Sequence, residues 1–237
     1  ASMNGDFLIA DMSQQFESRY DTENTEWVPP EMIVVWGCNP IASNSDNFYG
    51  GWVVDCMQRG SRLITVDPSL TWLAARSDYW LRLRTDGALA LAMLNVIISE
   101  DLYDREFVER WCYGFDELAE RVKEWTPERA EAVCWVPKDT IIGAARAYAK
   151  AKPATVHWGL PIDQAVVGIP TAQAINALWA VTGNTDVPGG NIIIRNAFEQ
   201  NVSYNYGYQT LPADALGLHL GAEYPLMSKA GFSSTAH

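Results

Sequence analysis

The stretch 32-MIVVWGCNPIASNSDNFYGGWVVDCMQRGSRLITVDP-68 decides the fold of this chain. It begins with five consecutive apolar residues, a pattern typical of a strand that is covered on both faces. A glycine, a polar loop and a helix-like segment ending near Gly60 follow, and then a second apolar run, RLITVDP. Parallel strands need a crossover between them. This order therefore predicts that residues 32–36 and 63–66 are adjacent parallel strands joined by a right-handed helical crossover, with their polar loops at one sheet edge.

The remaining sequence repeats this alternation. A second helix-like segment is expected to run to about Ser77, with Asp67 as its N-cap and Pro68 as its first residue. The run DYWLRLR predicts a third strand, and Thr85-Asp86 is expected to cap ALALAMLNVIIS, a helix so apolar that it should lie between layers. Later helices are predicted around DREFVERW, FDELAERVKEW, TPERAEAVC, PKDTIIGAARAYAKAK and Ile169–Thr182, with a strand leading to Trp158. The expected fold class is α/β: a doubly wound, Rossmann-like, mainly parallel sheet of about four to six strands with helices on both faces.

Three segments are expected along the chain. Residues 1–30 form a lead-in segment with a helix-compatible patch, FLIADMSQQFESRY, and residues 31–195 form the α/β domain. Residues 196–237 are rich in Tyr, Gly and Asn without period, which predicts an irregular arm. The two ends of the sequence look like cut points, so we expect a piece of a longer protein.

Charge and composition exclude several classes of function. The formal net charge of −12 argues against a nucleic-acid partner, because phosphate binding depends on clustered Lys and Arg. An anionic cofactor would instead be held by backbone N–H groups and a few local cations. No apolar run approaches the about 20 residues that a membrane span requires, so a soluble chain is expected. The spacing of Cys38, Cys56, Cys112 and Cys134 fits free thiols, not a zinc site or an iron–sulfur cluster.

The loop WGCNPIASNSD is the first candidate site. A pyrophosphate can bind where a strand ends in a glycine turn before a helix, since unpaired N–H groups and the helix dipole point at the anion. Gly37 would allow close approach, and Asn39, Ser43 and Asn44 would supply neutral donors. A plain βα turn is the alternative, because the sequence lacks G-x-G-x-x-G.

Two acids and two histidines have both a functional and a structural interpretation. Asp67 follows the second strand, where dinucleotide folds place an acid that accepts from ribose hydroxyls; otherwise it caps a helix. Asp86 could accept from the N1–H and amine of a guanine, or cap the helix from Ala88. His157 and His219 could be general acids, although His157 lies in an apolar strand and is more simply a core histidine.

Four motifs in this order resemble the dimethyl sulfoxide reductase family of molybdenum oxidoreductases: WGCNP at 36–40, TVDPS at 65–69, TDGALALAMLNVII at 85–98 and TGNTDVPGGN at 182–191. The resemblance covers about residues 30–195. It implies an internal domain that holds one guanine dinucleotide arm of the bis-molybdopterin guanine dinucleotide cofactor. It further implies cofactor-binding roles for twelve residues. By this resemblance, the dinucleotide phosphates are lined by Trp36, Gly37, Cys38, Asn39 and Pro40, and the ribose or base is contacted by Thr65, Val66 and Asp67. Guanine is recognised by Thr85 and Asp86. The residues close to the pterin and the metal are Leu160 and Gln164.

The sequence departs from the family pattern at two places. The family commonly has Pro-Gly before the Thr-Asp pair and Arg after Asp-Pro, whereas this chain has Leu83-Arg84 and Ser69. Arg84 is therefore expected to compensate as a local cation. The sequence also shows no assignable metal ligand, so no catalytic residue is predicted and the chain alone is expected to be inactive.

The resemblance implies a molybdenum-dependent (or tungsten-dependent) oxidoreductase in the intact protein, with a [4Fe–4S] cluster elsewhere in it. The expected partners are the remaining domains of the same subunit and an iron–sulfur electron-transfer subunit, in the cytoplasm or periplasm of a prokaryote. The alternative is a non-catalytic electron-transfer or scaffold subunit of the same fold, as in the large iron–sulfur subunit of NADH dehydrogenase. A nicotinamide dehydrogenase domain is disfavoured by the missing G-x-G-x-x-G.

Overall fold

A computed structural model describes residues 8–10, 29–43, 48–193, 212 and 214–215 of the chain. Its elements follow in this order: β1 (Leu8–Ala10), β2 (Met32–Trp36), α1 (Pro40–Ser43), α2 (Phe48–Gln58), β3 (Arg62–Val66), a 3-10 helix (Ala74–Arg76), β4 (Tyr79–Leu81), α3 (Asp86–Ser99), α4 (Arg105–Trp111), α5 (Phe115–Val122), α6 (Pro127–Cys134), α7 (Lys138–Lys150), β5 (Ala154–Trp158), α8 (Leu160–Asp163), α9 (Gly168–Val181) and β6 (Asn191–Ile193). The chain divides into two compact units, Ala1–Arg195 and Asn196–His237.

The central sheet has four strands in the order β4-β3-β2-β5, all parallel. In the centre of the register, Val34 of β2 lies between Ile64 of β3 and Val156 of β5. The prediction that β2 and β3 are adjacent and parallel is confirmed. The α/β fold class is confirmed as well. A separate antiparallel pair joins β1 to β6.

Helices cover both faces of this sheet. Alternate residues of β2 point to opposite faces, as the two-residue period of a strand requires. Val34 and Trp36 belong to one buried cluster with residues of α3, α7 and α9. Ile33 and Val35 belong to a second buried cluster with residues of α2. The continuous apolar run 32–36 is therefore explained by burial on both faces, and all five residues are at most 1% exposed.

Helix α3 is the central helix of the larger layer. It buries eight of its residues and packs against α5, α6, α7 and α9, so most of its apolar surface is covered. The prediction that it lies between layers is confirmed. Its short side chains, such as Ala88, Ala90 and Ala92, permit close approach of the surrounding helices. Among the described residues, no helix has the length and apolar character needed to cross a membrane.

Two local predictions were wrong, and the structure adds a short strand in the lead-in segment. Asp67 does not cap a helix, because only the short 3-10 helix at 74–76 forms between β3 and β4. The Asp67 carboxylate instead accepts from the backbone N–H of Ser69 and closes a turn at this position. The third strand is limited to Tyr79–Leu81, since the following residues leave the sheet. Leu8–Ala10, part of the helix-compatible patch, form strand β1, because pairing with β6 overrides local propensity.

Some predictions fall on residues that the structure does not describe. These are the proposed helix caps Asn44, Ser45 and Asp46, the possible acid His219, and, except for residues 212 and 214–215, the arm at 196–237.

The motif TGNTDVPGGN closes the free edge of β5. The Asn191 side chain accepts from the backbone N–H of Val156 at 2.9 Å and donates to its carbonyl at 2.8 Å. The Asn184 side chain accepts from the N–H of Ala154 at 3.0 Å. Both asparagines are fully buried, and their amides take the place of a neighbouring strand.

Candidate nucleotide-binding site

The carboxyl ends of the four parallel strands bring the predicted site loops to one edge of the sheet. β2 leads to Gly37, β3 to Asp67, β4 to Arg82 and β5 to Gly159. After β2 the chain crosses to α2 on one face, whereas after β5 it crosses to α9 on the other. The gap between β2 and β5 is therefore a topological switch point, where open α/β sheets form a crevice for ligands.

Two glycines allow the loops at this switch point to touch. Gly37 has φ +61° and donates its N–H to the carbonyl of Val66 at 2.8 Å. Gly159 donates to the carbonyl of Trp36 at 2.9 Å. A Cβ atom at position 159 would lie 2.6 Å from the carbonyl oxygen of Gly37 and 2.7 Å from Cβ of Cys38. No other residue fits there without moving the loop that follows β2.

The loop after Gly37 leaves polar groups available. The side-chain oxygen of Asn39 is buried and has no hydrogen-bond partner among the described residues. No hydrogen bond from the backbone N–H of Cys38 or Asn39 to any described residue is found. Pro40 is buried and begins α1, whose first turn is tied to the carbonyl of Asn39 by the N–H of Ser43 at 2.9 Å. The loop can thus present two N–H donors and one amide to a ligand.

The side chain of Cys38 does not act as a thiolate in this loop. Burial, aided by the nearby charge of Asp67, raises the pKa of its thiol to about 12, although the backbone N–H of Trp36 opposes the shift. The thiol is therefore neutral at physiological pH and unsuited to nucleophilic chemistry. All four cysteines are free thiols.

The residues of the second motif, TVDPS at 65–69, differ in how deeply their side chains are buried. The side chains of Thr65 and Val66 are fully buried, and the Thr65 hydroxyl bonds that of Ser77 at 2.6 Å. Their side chains are therefore not available to a ligand, and the carbonyl of Val66 accepts from the N–H of Gly37. Asp67 is partly exposed at the sheet edge and accepts from the N–H of Ser69 at 2.7 Å, forming a turn. Its second carboxylate oxygen remains available for a hydroxyl group.

Asp86 lies at the first turn of α3 and is linked to the first motif. The indole N–H of Trp36, whose side chain is fully buried, donates to Oδ1 of Asp86 at 2.8 Å. Thr85, not Asp86, is the N-cap residue of α3. Its side chain makes no capping hydrogen bond. Burial raises the pKa of Asp86, while the Trp36 hydrogen bond opposes that shift. The carboxylate is fixed by one hydrogen bond and keeps acceptor positions free.

The last two predicted residues lie outside this cluster of contacts. Leu160 is 66% exposed and Gln164 is exposed, both in the segment that follows β5. Their neighbour Pro161 lies closest to the site, since a Cβ at Gly37 would be 3.9 Å from it.

A cleft of about 680 Å³ beside this edge is lined by residues that were not predicted as a site: Pro68, Arg82, Leu83, Arg84 and Trp135. Arg84 could be suspected from its departure from the family pattern. Trp135 is distant in sequence and carries no recognisable motif, so only the tertiary structure brings it to the cleft.

The remaining candidates have structural roles. His157 packs on Tyr49 with ring centroids 4.1 Å apart, and burial lowers its pKa to about 4, as a neutral core histidine requires. Among the described residues, no group of three or more His, Cys, Asp or Glu side chains could hold a metal ion.

Comparison with known proteins places these motifs in a family. Acetylene hydratase of Syntrophotalea acetylenica is 37% identical over 182 residues, which are 75% of this chain and 25% of that protein. The thiosulfate reductase molybdopterin-containing subunit PhsA of Salmonella typhimurium is 36% identical over 152 residues, which are 63% of this chain and 20% of that protein. No protein-family model matches the chain.

The solved structures agree. Acetylene hydratase from Pelobacter acetylenicus superposes with a TM-score of 0.65 and 32% sequence identity over 87% of this chain and 29% of that one. The chain spans about a quarter of the length of the curated relatives it matches. The sheet edge, its glycine contact and these likenesses together assign the chain to the dimethyl sulfoxide reductase family of molybdopterin oxidoreductases.

Proposed function

We propose that this chain is the cofactor-binding domain of a molybdenum-dependent oxidoreductase catalytic subunit, and that residues 31–195 hold one guanine dinucleotide arm of its molybdopterin cofactor. One observation carries the proposal: the loops at 36–40, 65–69 and 84–86 lie at the same sheet edge. The Trp36–Asp86 hydrogen bond joins the first of them to the third. Such a junction is where this class of fold binds dinucleotides.

The names of the relatives support a cofactor role over a substrate role. Acetylene hydratase and thiosulfate reductase differ in the molecule they act on, yet each shares this region with the chain at more than a third identity. What they have in common is the family cofactor: molybdopterin-containing relatives use molybdenum with a bis-molybdopterin cofactor. A region shared across different reactants is better suited to holding that cofactor than to selecting a substrate.

The residues present fit a guanine dinucleotide. The unpaired Asn39 oxygen and the N–H groups of Cys38 and Asn39 suit ribose and phosphate groups at a glycine turn. Asp86 offers a fixed carboxylate, and guanine presents two adjacent N–H donors to it, whereas adenine does not. The bound metal centre would supply the two-electron redox chemistry, and this chain would position the nucleotide end.

The longer protein would complete the enzyme. In this proposal the remaining domains of the subunit supply the metal ligand, the rest of the cofactor cleft and the substrate channel. A [4Fe–4S] cluster and an iron–sulfur electron-transfer subunit would carry electrons to or from the metal. The 237-residue chain alone would have no turnover.

The test compares two conservative variants in the longer protein. Asp86→Asn replaces an acceptor for guanine with a mismatched donor, and we expect it to weaken nucleotide retention by about 1–3 kcal/mol. Asp67→Asn keeps an oxygen that can accept from the N–H of Ser69, so we expect it to weaken retention less than Asp86→Asn does. The measurement is guanine nucleotide and molybdenum content after gel filtration.

Equal nucleotide content in both variants and the wild type would contradict the role of Asp86. A wild-type protein with neither molybdenum nor guanine nucleotide would favour the alternative, a scaffold or electron-transfer subunit.

A further inference from the structure

The cleft lined by Pro68, Arg82, Leu83, Arg84 and Trp135 holds residues that the proposed function leaves unused. It opens directly after Asp67 and borders the segment that leads from β4 into Asp86. The cleft is therefore continuous with the sheet edge at which we place the nucleotide.

Trp135 is held in an unusual conformation at the end of α6. Its φ of 67° lies in the left-handed region, which normally favours glycine or asparagine at this position. Its side chain is nevertheless large, apolar and 64% exposed. The ring gains little from the core, and strained residues of this kind cluster at ligand sites.

Arg84 is positioned against this ring by the backbone. The N–H of Arg84 donates to the carbonyl of Cys134 at 2.9 Å, which fixes the two segments side by side. The guanidinium of Arg84 lies over the Trp135 ring, 4.7 Å from its centre. A guanidinium that lies over an aromatic ring still has N–H donors at its edge that can bind an anion.

The charges of Arg82 and Arg84 are not neutralised by any described carboxylate. Five other described arginines pair with acids, and these are Arg62, Arg105, Arg121, Arg129 and Arg146. Arg76 and Arg110 instead lie over the rings of Trp72 and Trp111, outside the cleft. In a chain with net charge −12, two unpaired cations at one cleft form a local site that attracts an anion.

We propose that Arg82 and Arg84 bind the phosphate groups of a nucleotide and that Trp135 packs against the adjoining nucleoside. The proposal rests on the proposed function, because it places these groups on the nucleotide whose base Asp86 reads. Arg84 stands where the family pattern has a glycine, and Ser69 stands where that pattern has an arginine after Asp-Pro. In this proposal Arg84 replaces the charge of that arginine from a different loop.

The test uses the ¹⁵N-labelled 237-residue chain at fixed ionic strength, titrated with inorganic pyrophosphate, GDP and guanosine. The readout is the indole N–H signal of Trp135 in NMR spectra, assigned by its loss in Trp135→Phe. We expect GDP and pyrophosphate to shift this signal saturably. In Arg84→Gln the affinity for both should fall about tenfold, while that for guanosine stays unchanged.

Arg129→Gln is the matched control, because its guanidinium also stacks on an indole, that of Trp125 at 4.4 Å, but lies outside the lining of the cleft. It should bind all three ligands like the wild type. Unchanged GDP and pyrophosphate affinity in Arg84→Gln, or no shift of the Trp135 signal with either ligand, would overturn the proposal. A further titration of the wild type and Arg84→Gln with ADP separates this proposal from guanine recognition. Equal affinity for ADP and GDP, with the Arg84 effect intact, would support the phosphate site and count against guanine recognition by Asp86.

Discussion

At the scale of single residues, Trp36 and Asp86 show how a buried side chain can serve a site without touching solvent. The family resemblance implies that Trp36 lines the phosphates; in the structure its ring is fully buried and its indole N–H donates to Asp86. The pKa of Asp86 is raised by burial, and the indole N–H limits that rise by stabilising the carboxylate. Trp36 therefore acts on the site through Asp86.

Trp36→Phe removes this donor while keeping most of the ring volume. We expect the pKa of Asp86 to rise further, because the ionised form loses its hydrogen bond, and the unfolding free energy to fall by about 1–3 kcal/mol. Carboxyl ¹³C NMR titration measures the first effect and urea denaturation the second.

Trp80→Phe is the control for this change. Its indole N–H donates to the backbone carbonyl of Asp67 at 2.9 Å and contacts no carboxylate, so the pKa of Asp86 should not move. An identical Asp86 titration in Trp36→Phe and the wild type would refute the role given to the indole.

His157 gives the chain a pH-dependent stability. Its folded pKa of about 4 lies below the ordinary value of 6.5, so the unfolded state binds more protons between these values. The stability contribution is present above pH 6.5 and is lost as the pH falls through 4, with an upper limit of about 3 kcal/mol. His157→Gln should flatten the fall in unfolding free energy between pH 6.5 and 4, measured by urea denaturation. A slope equal to that of the wild type would contradict this account.

At the scale of secondary-structure elements, the edge strand β5 depends on two asparagines. Asn191 hydrogen-bonds both the N–H and the carbonyl of Val156, and Asn184 satisfies the N–H of Ala154. A buried strand edge without such partners would leave polar backbone groups desolvated. The TGNTDVPGGN motif thus supports the candidate site indirectly, because β5 carries Gly159 to its contact with the loop that follows β2.

Asn191→Ala should destabilise the chain by about 2–4 kcal/mol, since it leaves two buried backbone groups unpaired. Thermal and urea unfolding measure this. The control is Asn176→Ala, which removes only a long 3.4 Å hydrogen bond from Trp158 and should cost less than about 1 kcal/mol. Similar losses in both variants would show that Asn191 does not stabilise the edge.

At the scale of the whole molecule, one layered core runs from Met32 to Val181 on both faces of the sheet. A core that is self-consistent in this way is expected to fold without further domains. In the described part of the chain, the segment that follows β5 from the proposed nucleotide edge exposes apolar residues such as Leu160, Val166 and Ile169.

We therefore expect the 237-residue chain to unfold in a cooperative transition, to bind GMP or GDP only weakly, and to show no oxidoreductase activity. Weak binding follows because a ligand enclosed on one side loses many of its contacts. Circular dichroism with urea, calorimetric titration, metal analysis and a dye-linked reductase assay test these points. Stoichiometric molybdenum with turnover would refute the proposal that the active enzyme needs the longer protein.

The sequence alone determined the α/β class, the parallel pairing of β2 with β3, the buried helix α3 and the loops at the sheet edge. These follow from local signals: apolar runs fix buried strands, and glycines fix turns. Only the tertiary structure decided how those loops combine. The Trp36–Asp86 hydrogen bond spans 50 residues, and Trp135 meets Arg84 through the packing of α6 against α3. The helix predicted after Asp67 does not form, because the Asp67 carboxylate closes a turn with the N–H of Ser69 and the connection becomes helical only at Ala74–Arg76, where Leu73 and Ala74 are buried.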